Sequence, residues 1–150
     1  MAVLIVPYKD INQVLKGIRL QVIESWEYCK TEMPSFNDPE TLFNVLRNII
    51  TYKNDKNGIE QLQTVQTLFD NNIHGISGAG DCDCFTILVL SMCWANNLGP
   101  QKIVLAGKSK KAPTHIWSKV KHNGKWYNLD LTQPLFDTTR EYKLTQEIEV

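Results

Sequence analysis

An excess of charge of either sign is absent from this sequence. Its 150 residues include 16 basic and 16 acidic side chains, so the formal net charge at pH 7 is zero. A nucleic-acid-binding surface needs an excess of lysine and arginine to neutralise phosphates. The composition therefore removes the electrostatic case for a nucleic-acid partner, and the basic run from Lys108 to Lys111 is expected to be a solvated loop tip.

Cysteine is scarce, and long apolar runs are missing. The four cysteines contain no C-x-x-C pair, so we expect neither a zinc site nor a disulfide scaffold, and no metal or other cofactor. No stretch is long enough to span a bilayer, and the apolar segment 2–6 is too short for a secretory signal. With no repeat in the sequence, we expect a single domain over residues 1–150 in a reducing, cytoplasmic location, without a membrane partner.

A helix that is apolar on nearly every side is predicted from Cys82 to about Asn97. Its composition indicates burial at the centre of the domain. Three glycines at 75, 78 and 80 allow a tight preceding turn, and Asp81 is a natural N-cap. Cys82 therefore lies in the first turn, where the helix dipole favours a thiolate.

A β-hairpin is predicted around Asn123-Gly124, since Asn-Gly between two alternating runs is a strong hairpin signal. With a two-residue loop, His122 faces Lys125 and Trp117 faces Asp130. His115 and Asp130 are then diagonal neighbours on one face of the sheet, within reach of a side-chain hydrogen bond. A bulge would place them on opposite faces.

Cys82, His115 and Asp130 together supply the thiol, imidazole and carboxylate of a cysteine-dependent acyl-transfer enzyme. One electrostatic conflict accompanies this hypothesis. Asp81 and Asp83 flank the thiol, and their charges raise its pKa. We therefore expect a thiolate only where a protonated His115 lies nearby.

Three sequence blocks resemble the signature blocks of the transglutaminase-like cysteine protein superfamily, a papain-like group. They are GDCDCF at 80–85, THIW at 114–117 and WYNLD at 126–130, and the nearest variant, Gly-Asp-Cys-Asp-Asp, is similar to small bacterial and phage-encoded members. The resemblance covers residues about 40–132. It implies that Cys82 is the nucleophile, His115 the general base and Asp130 the orienting carboxylate. Cys84 departs from the variant, which has a second Asp there.

Two further roles concern the cleft. The backbone N–H of Cys82 is a plausible oxyanion donor, while no motif places the glutamine that helps to form the oxyanion hole of papain. Trp117 is expected to form part of the core or the cleft wall.

The fold class is expected to be α+β: helices first, then an antiparallel sheet against which the Cys82 helix packs. We predict a strand at 2–6, helices at about 10–29, 40–52 and 59–69 with a turn at 54–58, and strands at 102–106 and in the tail from Glu141 to Val150.

The chemistry is expected to be attack of the Cys82 thiolate on an amide carbonyl, giving a thioester. If water hydrolyses this thioester, the protein is a peptidase or amidase acting on a peptide, protein or cell-wall amide. This hydrolytic activity is the function that we favour first. The alternatives are a transglutaminase or deamidase acting on glutamine side chains. A non-catalytic phage or bacterial structural or assembly protein, virion-associated in the phage case, is the rival class, because a fold alone does not establish activity.

Overall fold

The computed structural model describes residues 2–7, 10–56, 58–109 and 113–150. Asn57, in the predicted turn, and Lys110 and Lys111, in the predicted basic loop, lie outside the described residues. In chain order the elements are β1 (Val3–Pro7), α1 (Ile11–Glu32), α2 (Pro39–Arg47), β2 (Thr51–Tyr52), β3 (Ile59–Gln63), α3 (Val65–Asp70), β4 (Ala79–Gly80), α4 (Cys82–Ala95), β5 (Gln101–Gly107), β6 (Pro113–His122), β7 (Lys125–Leu129) and β8 (Leu144–Glu149).

The predicted fold class is confirmed: a buried helix packs on an antiparallel sheet. The four-stranded sheet has the order β7-β6-β5-β8, and all its neighbouring strands run antiparallel. Helix α4 packs between this sheet and α1, and every residue from Asp83 to Cys93 is buried. Its nearly all-round apolar surface explains this central place, because no face of it favours water.

The predicted hairpin register is also confirmed. His122 pairs with Lys125, and the ladder continues without a shift to Ser118 opposite Leu129. Asn123 and Gly124 have φ angles of 51° and 81°, the left-handed pair that a type I′ turn requires. Strand β7 ends at Leu129, so Asp130 is the first residue beyond it.

Two helix predictions in the first half of the chain are wrong in part. The helix predicted to reach Tyr52 ends at Arg47, because Thr51 and Tyr52 instead pair in parallel with Ala79 and Gly80. This pairing joins the segment directly to the residues before Cys82. Ile49, just beyond the end of α2, is 42% exposed.

The helix predicted at 59–69 is a strand followed by a shorter helix. Strand β3 pairs antiparallel with β1, so that Ile59 faces Pro7 and Gln63 faces Val3. Thr64 then caps α3 by accepting a hydrogen bond from the backbone N–H of Thr67. A distant partner strand overrides the local helical pattern here.

The remaining strands and α1 occur close to their predicted places. In α1, the side chain of Leu20 is 47% exposed. The tail strand β8 pairs with β5, with Leu144 opposite Gly107. Among the described helices, none combines the length and the apolar character that crossing a bilayer requires.

Candidate active site

The first turn of α4 holds Cys82 in a fixed position. Oδ1 of Asp81 caps the helix by accepting from the backbone N–H of Cys84 at 3.4 Å. On the N-terminal side, Gly80 belongs to β4, and a Cβ there would approach Cβ of Cys84 to 2.9 Å. A glycine is therefore needed where the strand passes so close to the helix that follows it.

Gly78 sets the path of the chain into this strand. Its φ is +79°, and a Cβ at this position would collide with the backbone carbonyl of Ile49. The close passage allows the N–H of Thr51 to bond O of Gly78 at 3.0 Å, and the N–H of Lys53 to bond O of Gly80 at 2.8 Å. The glycine-rich turn thus attaches β2 to the N-terminus of the cysteine helix.

His115 and Asp130 form a direct pair. Nε2 of His115 lies 2.7 Å from Oδ2 of Asp130, and the two side chains are 14% and 1% exposed. Strand β6 presents the imidazole, and the first residue after β7 presents the carboxylate. The diagonal relationship that the Asn-Gly register predicts is therefore present in the structure.

Thr132 orients the carboxylate, a role that no sequence motif indicated. Oδ1 of Asp130 accepts from the backbone N–H of Thr132 at 3.0 Å and from its hydroxyl at 2.6 Å. The hydroxyl also lies 3.3 Å from Nε2 of His115. These bonds leave Oδ2 directed at the imidazole.

Two aromatic rings support the imidazole. The ring of Tyr142 stacks on His115 at a centroid distance of 5.8 Å, and Trp117 lies 5.5 Å from both rings. Trp117 is buried and donates its indole N–H to Oδ1 of Asn128 at 3.0 Å. Of the two roles expected for Trp117, the structure therefore supports the core role. Its ring packs against that of His115 and does not line the cleft.

Cys82 and His115 line one cavity of about 520 Å³. The thiol is partly exposed. Burial and the charges of Asp83 and Asp81 raise the pKa of Cys82, while a hydrogen bond from the backbone N–H of Ile116 opposes this increase. The predicted electrostatic conflict is present, and the thiol is protonated at neutral pH.

The other three cysteines are buried. The thiol of Cys84 donates to the backbone carbonyl of Gln61 at 3.1 Å, so it faces β3 and not the cavity. Burial raises the pKa of both Cys29 and Cys93 to about 12. Cys84 and Cys93 therefore lie away from the cavity that Cys82 lines.

Four carboxylates that the sequence did not single out as a group meet beside Cys82. They belong to Asp55, Glu60, Asp81 and Asp83, and one oxygen from each lies within 4.8 Å of the others. Such an arrangement is able to hold a cation. Two of the four come from the segment around β3, which was predicted as a helix and its preceding turn, so sequence patterning could not bring them here.

Tyr52 was also missed as a site residue. It lines the cavity together with Cys82 and His115. Its ring packs edge-on against Phe85 of α4, with centroids 6.1 Å apart. Burial and the nearness of Cys82 raise the pKa of the Tyr52 phenol, so this group remains a hydrogen-bond donor at neutral pH.

No protein-family model and no curated protein matches the sequence of this chain. Among solved structures, the chain is similar to a proposed cysteine protease from Cytophaga hutchinsonii, with 13% identity and a TM-score of 0.46 over 92% of this chain and 47% of that one. It is also similar to a TGase, with 15% identity and a TM-score of 0.38 over 92% of this chain and 36% of that one. The chain thus spans less than half the length of either, and neither likeness carries functional weight at these TM-scores.

Proposed function

We propose that this protein is a cysteine-dependent acyl-transfer enzyme that cleaves an amide bond through a thioester on Cys82. The observation that carries the proposal is the 2.7 Å pair between His115 and Asp130, since the His115 of this pair lines the same cavity as Cys82. A thiol at a helix N-terminus and an imidazole held by a carboxylate are the parts of such a mechanism. The resemblance of the three sequence blocks to transglutaminase-like cysteine proteins supports the same roles.

The proton follows a defined path in the proposed mechanism. Because Nε2 of His115 is bonded to Asp130, Nδ1 is the nitrogen left to take the proton of Cys82. The sulfur then bonds to the carbonyl carbon, and the protonated imidazole donates to the leaving amine as the C–N bond breaks. Asp130 holds the ring and stabilises its charged form throughout.

The developing oxyanion needs two donors in this mechanism. The backbone N–H of Cys82 is one, as the sequence predicts. We assign the second to the phenol of Tyr52, because this side chain lines the cavity beside Cys82 and retains its proton. Tyr52 would then replace the glutamine for which no motif exists in the chain.

The fate of the thioester decides the reaction. If water attacks, with His115 as the base, the acid is released and the enzyme is a peptidase or amidase. If a primary amine attacks, the product is a new amide, as in a transglutaminase, and hydrolysis of a glutamine thioester is deamidation. We propose peptide or amide hydrolysis as the first choice.

Capture of the acyl-enzyme tests the proposal. Wild-type protein mixed with peptide or cell-wall-fragment amides should gain the mass of an acyl group, and the adduct should localise to Cys82 and disappear with hydroxylamine. Cys82→Ala should show neither adduct nor turnover, whereas Cys93→Ala, which removes a thiol remote from the cavity, should retain both. An adduct that persists in Cys82→Ala would refute the mechanism.

One observation favours a second candidate, a non-catalytic structural or assembly protein with the same fold. The raised pKa of Cys82 is also what an inert, buried thiol shows. The two candidates differ in thiol chemistry in the presence of substrate. An enzyme accumulates a thioester, whereas a structural protein leaves all four thiols unmodified.

A further inference from the structure

The cleft extends to both sides of His115, and its two ends differ in charge. On one side is the 520 Å³ cavity that contains Cys82 and the four carboxylates. On the other side is a second cavity of about 480 Å³, lined by Arg47 and Arg140. His115, Tyr52 and Thr114 line both cavities, so the two cavities adjoin at these three residues.

The acidic end contains a buried carboxyl group whose partner is a second acid and not a base. Asp83 is only 6% exposed, and its sole side-chain partner among the described residues is the carboxyl group of Glu60. Oδ2 of Asp55 accepts from the backbone N–H of Gln61 at 2.7 Å, whereas its buried Oδ1 has no donor outside the acidic cluster. Lys56 also lines this cavity, but it is exposed and forms no ion pair within the described part of the chain.

Among the described residues, none of the four acids in this cluster forms an ion pair with a base. Burial and mutual repulsion raise the pKa of Asp81, Asp83 and Glu60, and a cation bound between these carboxylates would oppose both the repulsion and the increase in pKa. A buried carboxylate gains most from a charged donor that supplies both hydrogen bonds and opposite charge. Four carboxyl groups that form no ion pair with a base among the described residues therefore define a place for a positively charged donor.

The basic end is positioned to receive an anion. Nη1 of Arg47 donates to the backbone carbonyl of Leu131 at 3.2 Å, which holds the guanidinium at the cavity wall. Arg140 is exposed. Among the described residues, no carboxylate lines this second cavity, and neither arginine forms an ion pair. A guanidinium group without an ion-pair partner is able to bind a carboxylate through two parallel N–H···O hydrogen bonds.

We propose that the substrate is a dipolar, peptide-like amide, with an ammonium or guanidinium group at the carboxylate cluster and a carboxylate at Arg47 and Arg140. The bond to be cleaved would lie between them, beside Cys82 and His115. The inference rests on the proposed function and deepens it by naming the charge pattern of the substrate. Two cavities of this size are typical of sites for small or peptide-sized ligands.

Binding to the inert Cys82→Ala protein tests the inference without requiring turnover. We would compare acetyl-Lys-Gly-Gln-Gly-Glu-amide, the reversed acetyl-Glu-Gly-Gln-Gly-Lys-amide and the neutral acetyl-Gln-Gly-Gln-Gly-Gln-amide by calorimetry. One of the two dipolar peptides should bind about tenfold more tightly than the neutral one, and added salt should reduce the difference. Equal affinities for all three peptides, or no binding by any, would overturn the inference.

Charge variants in the same Cys82→Ala background assign the two ends. Glu60→Gln should remove the preference for Lys over Gln and leave the preference for Glu over Gln, and Arg140→Gln should do the converse. Asp83→Asn repeats the first test at the buried position. The matched control is Lys143→Gln, which changes an exposed charge outside both cavities. A control that removes either preference as effectively would count against the inference.

A divalent metal ion is the other cation that four carboxylates suit. If calcium or magnesium chloride raises the Tm of the wild type but not of Asp83→Asn, the cluster is a metal site and the inference fails. Failure of the proposed function would give a different result. No thioester would form on Cys82 of the wild type, while the affinities of the Cys82→Ala protein for the three peptides would be unaffected.

Discussion

Nε2 of His115 lies 2.7 Å from Oδ2 of Asp130, although fifteen positions separate the two residues along the chain. Two local devices create this relationship. The Asn123-Gly124 turn sets the register of the hairpin, and Thr132 holds the other oxygen of Asp130. In this orientation Nδ1 is the ring nitrogen of His115 that is not bonded to Asp130.

Asp130→Asn should leave the fold intact and reduce kcat by about 10³-fold to 10⁴-fold, as loss of an orienting carboxylate does in comparable triads. The amide is nearly isosteric, but it no longer stabilises the protonated imidazole. Steady-state turnover and a thermal melt measure the two effects separately. Asp70→Asn, on an exposed side chain, is the control. A kcat within about threefold of wild type, roughly 0.65 kcal/mol of barrier, would remove Asp130 from the mechanism.

Thiol labelling should identify Cys82 as the reactive cysteine and measure how its acidic neighbours change its pKa. Since Asp83 raises the pKa of Cys82, Asp83→Asn should lower this pKa and speed alkylation by iodoacetamide at about pH 8 by threefold or more. Cys82→Ala should abolish the labelling seen in the wild type, whereas Cys29→Ala, Cys84→Ala and Cys93→Ala should retain it, because these three thiols are buried. An unchanged rate in Asp83→Asn would show that the charge of Asp83 does not raise the pKa of the thiol.

Tyr52→Phe should lower kcat by about 10²-fold with KM changed by less than about twofold, because an oxyanion donor acts mainly in the transition state. Phenylalanine retains the edge-on packing against Phe85, so the melting temperature should stay close to that of wild type. Phe85→Leu is the complementary control, since it changes the packing and preserves the phenol. A variant with unchanged kcat would show that Tyr52 is not the second donor.

The elements that sequence reasoning placed well are those specified by short-range signals. Asp81 caps α4 from the adjacent position, and Asn123-Gly124 determines the hairpin by itself. Both devices act within a few residues, so the positions of Cys82, His115 and Asp130 follow from local chemistry. The pairing of His115 with Asp130 could therefore be predicted from the sequence alone.

The parts that sequence reasoning missed depend on partners far along the chain. Strand β3 exists because β1 lies beside it, and β2 exists because β4 does. The local patterns of both segments favour helix. These two strands and the segment between them contain Tyr52, Asp55 and Glu60. The proximity of these residues to Cys82 could therefore not be predicted from the sequence.

Buried thiols should make the protein less stable at alkaline pH. Cys93 has its pKa raised from 9.0 in the unfolded chain to about 12, so above pH 9 the unfolded state loses this proton first. The contribution of the buried Cys93 thiol to the free energy of unfolding is therefore fully present below pH 9 and is lost as the pH rises towards 12. Between about pH 8 and about pH 10.5, this one group should lower the free energy of unfolding by about 2 kcal/mol.

Urea denaturation of Cys93→Ala at the two pH values isolates this contribution. The cavity costs stability at both values, but the pH-dependent loss should be about 2 kcal/mol smaller than in wild type. Val89→Ala, on the same buried helix, leaves a cavity without removing a titrating group and should retain the full loss. Identical pH dependence in Cys93→Ala and wild type would contradict the raised pKa.

Gly124→Val tests whether the turn determines the dyad. Gly124 has a φ of +81°, and no heavy atom lies within 4 Å of the position that a Cβ would occupy. Backbone strain is therefore the main cost, and the free energy of unfolding should fall by about 1–3 kcal/mol. A β-branched residue resists the left-handed region and favours a longer loop, which would shift the register and separate His115 from Asp130. Activity per folded molecule should consequently fall further than stability alone explains.

The matched control for this substitution is Asn123→Gly, since glycine readily adopts the φ of 51° found at that position and should preserve both stability and turnover. The folded fraction is measured by circular dichroism, and kcat is normalised to it. If Gly124→Val loses stability but retains full turnover when folded, the bonds from Thr132 to Asp130 and the pairing of β6 with β5 suffice to hold the dyad. The turn would then stabilise the sheet without setting the catalytic geometry.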